Sequence, residues 1–471
     1  MVMIVAGNGL GLLNTSLNTV GAPGARGQSV LGQGGSRAIV NVVNGNLVLQ
    51  MQDAQLAGRG LDLYALRSYN SLGALIDGDE DGWRWGDEQT VRFQGPGTPA
   101  QPQAGATVIR TAGDGHETPY TWTAARAAFI GTEGGGAHDE LRYDGAPGEW
   151  VWTDGSTRIT ERYSNSSSSG MAGRLIRRTD TSGNSIELMY DSGGRLTVIR
   201  DAGSRQELGL SYGVFNGLTR LQRLETRALI EDAGGRATAT LGGAVRQVEY
   251  AYDGLDRLIT VTTDLTPADG SIADGVVFVT NYAYEATTAR IASVTQSDGT
   301  SVFFTYGAAG RVSTVEDHGG ATSAQLVFSY STATSSTAVT DGDGQVWSYR
   351  YDPTSQQLTE ILTPAVGGAA LSTKFSYDAS GNLAAVTDAR NNTLTYGYDS
   401  NGNRTLERDA LANTVTGGNA KPQPRQWKRR MCSSPPTSRR ATPRSTSTAR
   451  CPAPTTQPSS TTTSSRNEPP G

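Results

Sequence analysis

Short runs of alternating apolar and polar residues, separated by turns that carry glycine, asparagine or aspartate, occupy most of the chain. Residues 38–43 and 46–50 alternate on either side of an Asn44-Gly45 pair, which is the typical sequence of a tight β-hairpin turn. Residues 61–69 alternate in the same way. Because successive side chains of a strand point to opposite faces of a sheet, this pattern predicts antiparallel strands with one buried face.

A short motif recurs from about residue 173 onward: Tyr-Asp, a turn, then Arg or Asn followed by Leu. It begins at Tyr190, Tyr252 and Tyr377, and a further copy starts at Tyr398. Neighbouring tyrosines such as those at 190 and 212, or 377 and 398, stand 22 or 21 positions apart. A unit this short cannot enclose its own core, so its copies must stack into an extended β surface. The tyrosines are expected to form a ladder at the strand ends, each hydroxyl bound to a partner or to water.

Helix-period patterns are nearly absent, and the one ambiguous segment, residues 218–233, lacks a convincing cap. The predicted fold is therefore all-β, with a spiralling antiparallel sheet of repeats. Four segments are predicted: a flexible lead-in (1–37), an N-terminal β-rich region (38–172), the repeat array (173–416) and a disordered basic tail of Pro, Ser, Thr and Arg (417–471).

Composition agrees with thin β layers. Only 36% of residues are hydrophobic and 59 of the 471 are glycine, which suits strands joined by tight turns better than a thick core between helices. Both cysteines, Cys432 and Cys451, lie in the tail. The fold before the tail therefore owes nothing to disulfides, and cysteine usage does not reveal the redox compartment.

The net charge of −5 conceals two unlike parts. Ten of the 40 Lys and Arg residues but only one of the 45 acidic residues, Glu468, follow Ala420, which leaves −14 before that point and +9 after it. Nucleic-acid binding is therefore not expected of the acidic body, and any binding by the tail would be electrostatic and salt-sensitive.

Two interpretations of the tail stay open. One is a disordered basic segment that binds an acidic partner. The other, which we favour, is an out-of-frame translation after a frameshift. The pattern changes abruptly at residue 417, and Lys374 is the single lysine before the tail, as expected of a high-GC gene that encodes Arg in preference to Lys.

The Tyr-Asp motif with its Arg- or Asn-Leu sequence resembles the YD repeats of bacterial Rhs proteins, to which repeats of insecticidal toxin complexes and teneurins are related. Residues 44–47, 59–63, 67–71 and 82–86 resemble the region that precedes the repeats in such chains. The resemblance implies a long β sheet coiled into a hollow shell that encloses or displays a C-terminal toxin. Because the motif stops near residue 416 where another unit should follow, the expectation is a truncated, partial shell.

The function that this resemblance implies is that of a non-catalytic structural fragment of a shell used in intercellular competition, with a toxin cargo or a secretion-system component as partner. A second hypothesis is a cell-surface or secreted protein that binds carbohydrate or another chain through exposed Tyr and Trp. Packing of these aromatic residues between repeats is the favoured interpretation. A hydrolase is the least supported function.

The first residues, 1–6, are apolar but lack the basic region and the long apolar run of a secretory signal. No stretch approaches the length of a membrane span. We therefore expect no membrane span, and secretion or surface display by a route independent of a signal peptide, or otherwise a cytoplasmic location.

One acidic loop has the spacing of a calcium loop, D-x-D-x-D-G-x5-E. Its members are Asp77, Asp79, Asp81, Gly82 and Glu88. Arg84 stands where such loops carry an apolar residue, and the tryptophans on either side of it alternate as on a strand. An acidic turn before a strand is therefore favoured, and calcium binding is kept as a hypothesis. No other metal or cofactor is expected.

The three histidines, His116, His138 and His318, each lie in a turn rich in glycine or acidic residues. No second histidine follows His116 at helical spacing, and no Gly-x-Ser-x-Gly elbow joins a strand to a helix. The many Asp-Gly pairs are explained by turn chemistry without catalysis. The sequence therefore predicts no catalytic residues.

Overall fold

The structure, a computed structural model, describes residues 3–5, 29–30, 37–58, 60–72, 82–113, 115, 117–131, 139–155, 157–166, 170–231, 237–269, 271–318, 324–365, 367–379, 381–399, 404–411 and 414–416. Its helices are single 3-10 turns at Ala124–Arg126, Pro267–Asp269, Ile272–Asp274 and Ala308–Gly310. The predicted all-β fold is confirmed. In this part of the chain no helix has the length and apolarity to cross a membrane. The predicted tail, 417–471, and most of the predicted lead-in lie outside the described residues.

The described residues form three sheets, one of them a two-stranded ribbon of β8 and β9. The strands are β1 Met3–Val5, β2 Ser29–Val30, β3 Arg37–Asn41, β4 Leu47–Leu56, β5 Leu63–Asn70, β6 Trp83–Trp85, β7 Thr90–Gln94, β8 Gly97–Thr98, β9 Gln101–Pro102, β10 Thr107–Thr111, β11 Glu117–Thr123, β12 Ala128–Ile130, β13 Glu140–Asp144, β14 Glu149–Thr153, β15 Thr160–Ser164, β16 Leu175–Thr179, β17 Ser185–Tyr190, β18 Leu196–Asp201, β19 Glu207–Phe215, β20 Leu218–Glu231, β21 Ala237–Tyr252, β22 Leu258–Asp264, β23 Val277–Tyr284, β24 Ile291–Gln296, β25 Ser301–Tyr306, β26 Val312–Asp317, β27 Ala324–Ser331, β28 Ser336–Asp341, β29 Val346–Tyr351, β30 Leu358–Leu362, β31 Ser372–Tyr377, β32 Leu383–Thr387, β33 Thr393–Tyr398, β34 Arg404–Arg408 and β35 Thr414–Thr416.

The first sheet has the strand order β1-β3-β4-β5-β6, with β2 also paired to β3. β3 and β4 form the predicted Asn44-Gly45 hairpin, in which Val40 lies opposite Leu47. Gly45 has a φ of +75°, and a Cβ there would lie 2.5 Å from the Cβ of Arg311 in the second sheet. The turn therefore requires glycine both for its backbone conformation and for the close approach of the two sheets.

The second sheet begins by closing on itself. β7 pairs with β10, and antiparallel pairing continues in chain order from β10 to β16. The free edge of β7 meets the chain just before β16, where Thr90 bridges Arg174 and the Val91 N–H donates to the Gly173 carbonyl at 2.8 Å. These strands make a closed ring. A Cβ on Gly173, which has a φ of +76°, would overlap the carbonyl oxygen of Val91, so the ring closes at a position that only glycine fits.

From β16 the sheet continues to β35 as a single meander in which each strand pairs antiparallel with the next. The register shifts by a β-bulge next to most of the repeat tyrosines, for example between Met189 and Tyr190 and between Ala283 and Tyr284. A bulge re-aims the side chain that follows it, and here it sets the tyrosine at the end of its strand. The ambiguous segment 218–233 contains strand β20 and no helix in its described part.

The first sheet lies across one face of the second, which we call the inner face. Just before β4, the Gly45 carbonyl accepts from the Val312 N–H at 2.9 Å. Within β4, Asp53 accepts from the Tyr250 hydroxyl at 2.7 Å. β5 returns past Tyr69, whose hydroxyl donates to the Ala289 carbonyl at 2.8 Å. Since these contacts fall on β26, on β21 and just before β24, strands β4 and β5 cross the repeat strands rather than run along them.

Apolar side chains of the two layers form one buried cluster, which includes Leu49 and Trp83 of the first sheet and Val248 and Val315 of the inner face. The inner face stays buried as far as Leu358. We call strands β17–β30 the covered repeats. In β31–β35, the end repeats, the inner-face side chains whose burial is described are only half-buried; they are Phe375, Val386, Leu394, Tyr396 and Glu407.

The predicted β-rich region 38–172 supplies strands to two different layers. β3 to β6 belong to the first sheet, and β7 with β10 to β15 belong to the ring. Residues Met1–Asn419 make up one compact unit. The ring closes at Gly173, and the meander departs from it there. The boundary at residue 173 stays a prediction.

Candidate functional site: the tyrosine–aspartate turns

The aspartate of each Tyr-Asp motif organises the turn that follows it. Asp191 accepts from the N–H groups of Gly193 and Arg195, both at 2.9 Å, and from Arg195 Nε at 2.8 Å. Asp253 accepts from the N–H and Nε of Arg257 at 3.0 and 2.8 Å. Burial raises the pKa of Asp191, but the N–H and guanidinium of Arg195 outweigh this and hold that pKa below its ordinary value. These carboxylates are committed to the turns, as turn chemistry predicts.

The repeat tyrosines tie neighbouring strands together through their hydroxyl groups. Each of the hydroxyls given below donates to the carbonyl of an apolar residue on a preceding strand, in most cases the residue that opens that strand, which confirms the expected ladder. The bonds are Tyr190 to Leu175 (2.6 Å), Tyr212 to Leu196 (2.8 Å), Tyr252 to Leu221 (2.9 Å), Tyr284 to Leu258 (2.7 Å), Tyr306 to Ile291 (2.7 Å), Tyr330 to Val312 (2.8 Å), Tyr377 to Leu358 (2.9 Å) and Tyr398 to Leu383 (2.9 Å). Burial raises the pKa of Tyr377 to about 12, so the hydroxyl stays protonated as a donor at neutral pH.

In five of the motifs the arginine stacks on the tyrosine of the next unit. Arg257 lies 4.6 Å from the centroid of the Tyr284 ring, and Arg311 lies 4.8 Å from that of Tyr330. The same contact recurs at 5.5 or 5.6 Å for Arg174 on Tyr190, Arg195 on Tyr212 and Arg290 on Tyr306. In motifs whose turn carries an aspartate or glutamate, the arginine guanidinium pairs with that carboxylate. The same guanidinium lies over the tyrosine ring of the following unit, and this contact links consecutive repeats.

The last motifs lack this arginine. Gln357 precedes Leu358, and Asn382 precedes Leu383. The Asn382 amide still reaches Asp378, at 3.0 Å, and the Gln357 side chain donates to the Gly381 carbonyl at 3.0 Å. These neutral amides keep the turn in place, but they cannot supply the cation–π contact that the covered repeats make.

A buried ion pair within the first sheet contacts tyrosine hydroxyls of the second sheet. Arg67 of β5, 2% exposed, is paired with Asp53 of β4, 6% exposed. The Arg67 guanidinium also lies 4.6 Å from the Trp83 ring centroid and 3.5 Å from the Tyr282 hydroxyl. Burial opposes the charge on Arg67, but the neighbouring carboxylate of Asp53 more than offsets it, and the pKa of Arg67 is raised. Sequence reasoning missed this cluster because Asp53 and its partner Tyr250 are 197 positions apart.

A second buried charge network lies inside the ring. Glu161 accepts from Arg110 at 2.7 Å and from Arg178 at 3.1 Å, and Arg178 also reaches Asp87 at 3.1 Å. Burial raises the pKa of Glu161, but the two arginines outweigh it and lower that pKa overall. The network is fully paired, and no alternation signal marks it because its members come from different hairpins.

Close to this network, burial raises the pKa of Asp139 to about 6. Its carboxylate accepts from the Tyr120 hydroxyl at 3.2 Å and from the Gly155 N–H at 2.8 Å. Tyr120 in turn accepts from Trp152 Nε1 at 2.9 Å. The chain of contacts fixes the β14–β15 turn against the start of β13.

The predicted calcium loop falls mostly outside the described residues, since Asp77, Asp79 and Asp81 are not among them. Glu88 is described: it is 2% exposed and lies 3.5 Å from Arg174. Among the described residues no group of three or more His, Cys, Asp or Glu side chains is placed to hold a metal ion. Calcium binding stays a prediction.

Of the three histidines, His116 and His138 also lie outside the described residues. His318 is 42% exposed, 3.0 Å from Glu316, and its ring meets Phe303 edge-on. A depression of about 490 Å³ lies on the outer face over Gly209. Its arginines are taken up by ion pairs, such as Arg227 with Glu225 at 2.6 Å, so it offers no free charged group for chemistry.

Comparison with known families gives two matches. The RHS Repeat family matches residues 171–206 and 377–414, and a Domain of unknown function (DUF6531) matches residues 38–120. No curated protein matches the chain.

Solved structures give weak overall likenesses. The crystal structure of TcdB2-TccC3-Cdc42 is 11% identical with a TM-score of 0.38, and the match covers 77% of this chain and 23% of that one. The Photorhabdus luminescens Tc holotoxin pore is 12% identical with a TM-score of 0.35, covering 79% of this chain and 25% of that one. This chain therefore spans about a quarter of the length of these structures.

A continuous antiparallel sheet of tandem hairpins, linked by tyrosine hydroxyls and turn arginines, defines a β-repeat protein. The two RHS Repeat matches fall on these same Tyr-Asp turns. The chain therefore contains RHS repeats, as its motifs predict.

Proposed function

We propose that this chain is a wall segment of an Rhs-type shell that encloses or displays a C-terminal toxin in competition between cells. The observation that carries the proposal is the sheet itself, which is closed into a ring at Gly173 and then runs without interruption to β35. A wall needs strands whose edges are paired, and ring closure removes the unpaired edge at one end of the sheet.

The repeat chemistry also suits a wall. Each unit is bound to the next by backbone pairing, by a tyrosine–carbonyl bond and, in the covered repeats, by an arginine over the ring. Units that contact only their neighbours can be added without changing the rest of the fold. On this proposal the partners are a toxin and the secretion machinery, and the shell is secreted or displayed at the cell surface.

Carbohydrate binding is not proposed, because the aromatic side chains of the described repeats are used internally. Tyr284, for example, donates its hydroxyl to a carbonyl and receives Arg257 on its ring. The proposed role is non-enzymatic, which is supported by turn carboxylates such as those of Asp191 and Asp253 being bound within their own turns.

The test uses size exclusion by the wall. A small ribonuclease is fused after Asn419, the end of the compact unit, and its activity is measured on a dinucleotide and on long RNA. We expect dinucleotide cleavage at the rate of the free enzyme and markedly slower cleavage of long RNA. Gly173→Val, which opens the ring, should restore cleavage of long RNA. Gly145→Val is the matched control, since nothing lies within 4 Å of a Cβ at Gly145. Equal relative rates on both substrates in the unmodified fusion would refute enclosure.

A further inference from the structure

The outer face of the second sheet, opposite the inner face, has a charged part and an uncharged part. On strands β13 to β20 it carries ion pairs between neighbouring strands, such as Arg177 with Glu187 at 2.8 Å and Arg200 with Glu207 at 2.7 Å. In the described part of residues 73–213 no large apolar side chain is exposed. The outer face of this sheet therefore accepts charged side chains where it meets water.

The outer face of β23 to β29, which we call the neutral panel, has a different composition. Its side chains are mostly Ser, Thr, Ala and Val, and the charged residues at its described positions are Glu316 and Arg350. Glu316 lies 3.0 Å from His318, and Arg350 pairs with Glu360 of β30 at 2.7 Å. One negative and one positive residue leave the panel without net charge.

Large apolar side chains are exposed within the neutral panel. Phe303 of β25 is 40% exposed, Val327 of β27 is 36% exposed and Val346 of β29 is 45% exposed. Thr340 of β28 lies opposite both valines, so the three residues form one row across the sheet. Exposed aromatic and aliphatic side chains in a surface depleted of charge are the compositional signal of an interface core.

Net charge indicates which partner this panel fits. Residues 1–420 carry a net charge of −14, so two copies of the chain repel each other unless they meet where charge is absent. The basic segment 421–471 is a poorer occupant, because its positive charge is attracted to acidic surfaces and gains nothing from a neutral one. A second copy of the neutral panel is the surface that matches the first.

The size of the panel sets the strength of the contact. Seven strands spaced by about 4.8 Å, each about 20 Å long, give a surface of about 600 Å². A standard stable interface buries about 800 Å² on each partner. Association through the panel is therefore expected to be reversible and to depend on protein concentration.

We propose that two copies of this chain associate face to face through the neutral panel, forming a reversible two-fold dimer in which one sheet packs on the other. The small Ser, Thr and Ala side chains let the sheets approach, and Phe303 of each copy supplies an apolar contact. The proposal concerns the outer face and does not depend on the proposed function.

The mass of the full chain tests the dimer, measured by light scattering over a range of protein concentrations at low and high salt. The wild-type mass should rise toward twice the monomer mass, at least as readily at high salt, because salt screens repulsion between the acidic bodies. Val327→Asp places like charges on both panels and should keep the chain monomeric. The control Ser211→Asp adds the same charge at an exposed position of β19 and should dimerise as wild type does.

A labelling measurement locates the contact. In a chain with Cys432 and Cys451 changed to Ser, the thiol introduced by Val327→Cys should react with a soluble maleimide several-fold more slowly at high protein concentration than at low. Val214→Cys, at a position 74% exposed outside the panel, is the control and should react at the same rate at both concentrations.

Four results would overturn the proposal. They are a wild-type chain that is monomeric at every concentration, a Val327→Asp variant that still dimerises, equal slowing of the two introduced thiols, and a dimer that dissociates as salt is raised. The last result would instead indicate that the basic segment of one copy binds the acidic surface of another.

Discussion

The covered repeats and the end repeats share one turn chemistry but differ in what lies against their inner face. Leu258 of the covered repeats is fully buried, whereas Leu383, at the same place in its motif, is half-buried. The tyrosine ladder continues through both regions, with hydroxyl bonds of 2.7 Å at Tyr284 and 2.9 Å at Tyr398. The ladder therefore sets the shape of the sheet, while burial beneath the first sheet supplies most of its stability.

The comparison also shows why the first sheet is needed. A single β layer exposes both faces and has little apolar surface to bury, which agrees with the low hydrophobic content of 36%. β4 and β5 supply a second layer by crossing the repeats, and complete burial of apolar side chains on the inner face ends near Leu358. Beyond that point the repeats depend on pairing and turn chemistry.

The largest difference is expected between two ion pairs. Asp53→Ala leaves Arg67 buried without its partner and should lower the free energy of unfolding by about 3–5 kcal/mol. Glu407→Ala breaks the half-buried pair with Arg404, 3.4 Å apart, and should lower the free energy of unfolding by less than about 1 kcal/mol. Urea denaturation of the two variants measures both. Equal losses would show that the two regions are buried alike.

Truncating the matched leucines should give the next largest contrast. Leu258→Ala removes a fully buried side chain and should destabilise by about 2–5 kcal/mol, since the cavity forms between two packed layers. Leu383→Ala should cost less than half as much, because the site is already half in water. Thermal unfolding of the pair checks this, and a larger shift for Leu383→Ala would contradict it.

Removing single tyrosine hydroxyls should produce a smaller difference in stability loss between the covered repeats and the end repeats. Tyr284→Phe leaves the Leu258 carbonyl without its donor inside the covered layer and should cost about 1–2 kcal/mol. Tyr398→Phe should lower the free energy of unfolding by only about a few tenths of a kcal/mol, because water replaces the lost donor. Denaturation midpoints of both variants, with Tyr64→Phe on the exposed surface as the control, measure the difference.

The end repeats should be improved by giving them the arginine that they lack. Asn382→Arg keeps a donor for Asp378 and places a guanidinium over the Tyr398 ring, as Arg257 lies over Tyr284. We expect a gain of about 0.5–1 kcal/mol, read as slower amide exchange in β32 and β33. Asn382→Gln, which adds length without charge, should give no gain. If Gln and Arg behave alike, the cation makes no contribution.

The smallest effect is expected in the dependence of stability on acidic pH. Burial raises the pKa of Asp253, but Arg257 outweighs it and lowers that pKa below the ordinary 3.8. The carboxylate therefore contributes stability above the unfolded pKa, and this contribution is lost as pH falls through the folded pKa. In a plot of the urea midpoint against pH, Asp253→Asn should reduce the fall of the midpoint below about pH 4. An unchanged acid limb would show that this turn is not a source of pH dependence.

Local pattern was sufficient for the strands and turns. Alternation around Asn44-Gly45 identified the first hairpin, and the Tyr-Asp spacing identified the repeats and their ladder, because both signals lie within a few residues. The closure of Thr90 onto Arg174 and the pairing of Asp53 with Tyr250 could not be predicted in this way. Such contacts join residues far apart in sequence, and alternation shows that a face is buried without showing what buries it.

Amide hydrogen exchange of the full chain, resolved by segment, tests most directly whether the first sheet stabilises the repeats that it covers. We predict that amides of β22 to β29 exchange only on global unfolding, whereas those of β31 to β34 exchange much faster by local opening. Equal protection of the two regions, or stronger protection of β31 to β34, would contradict the account.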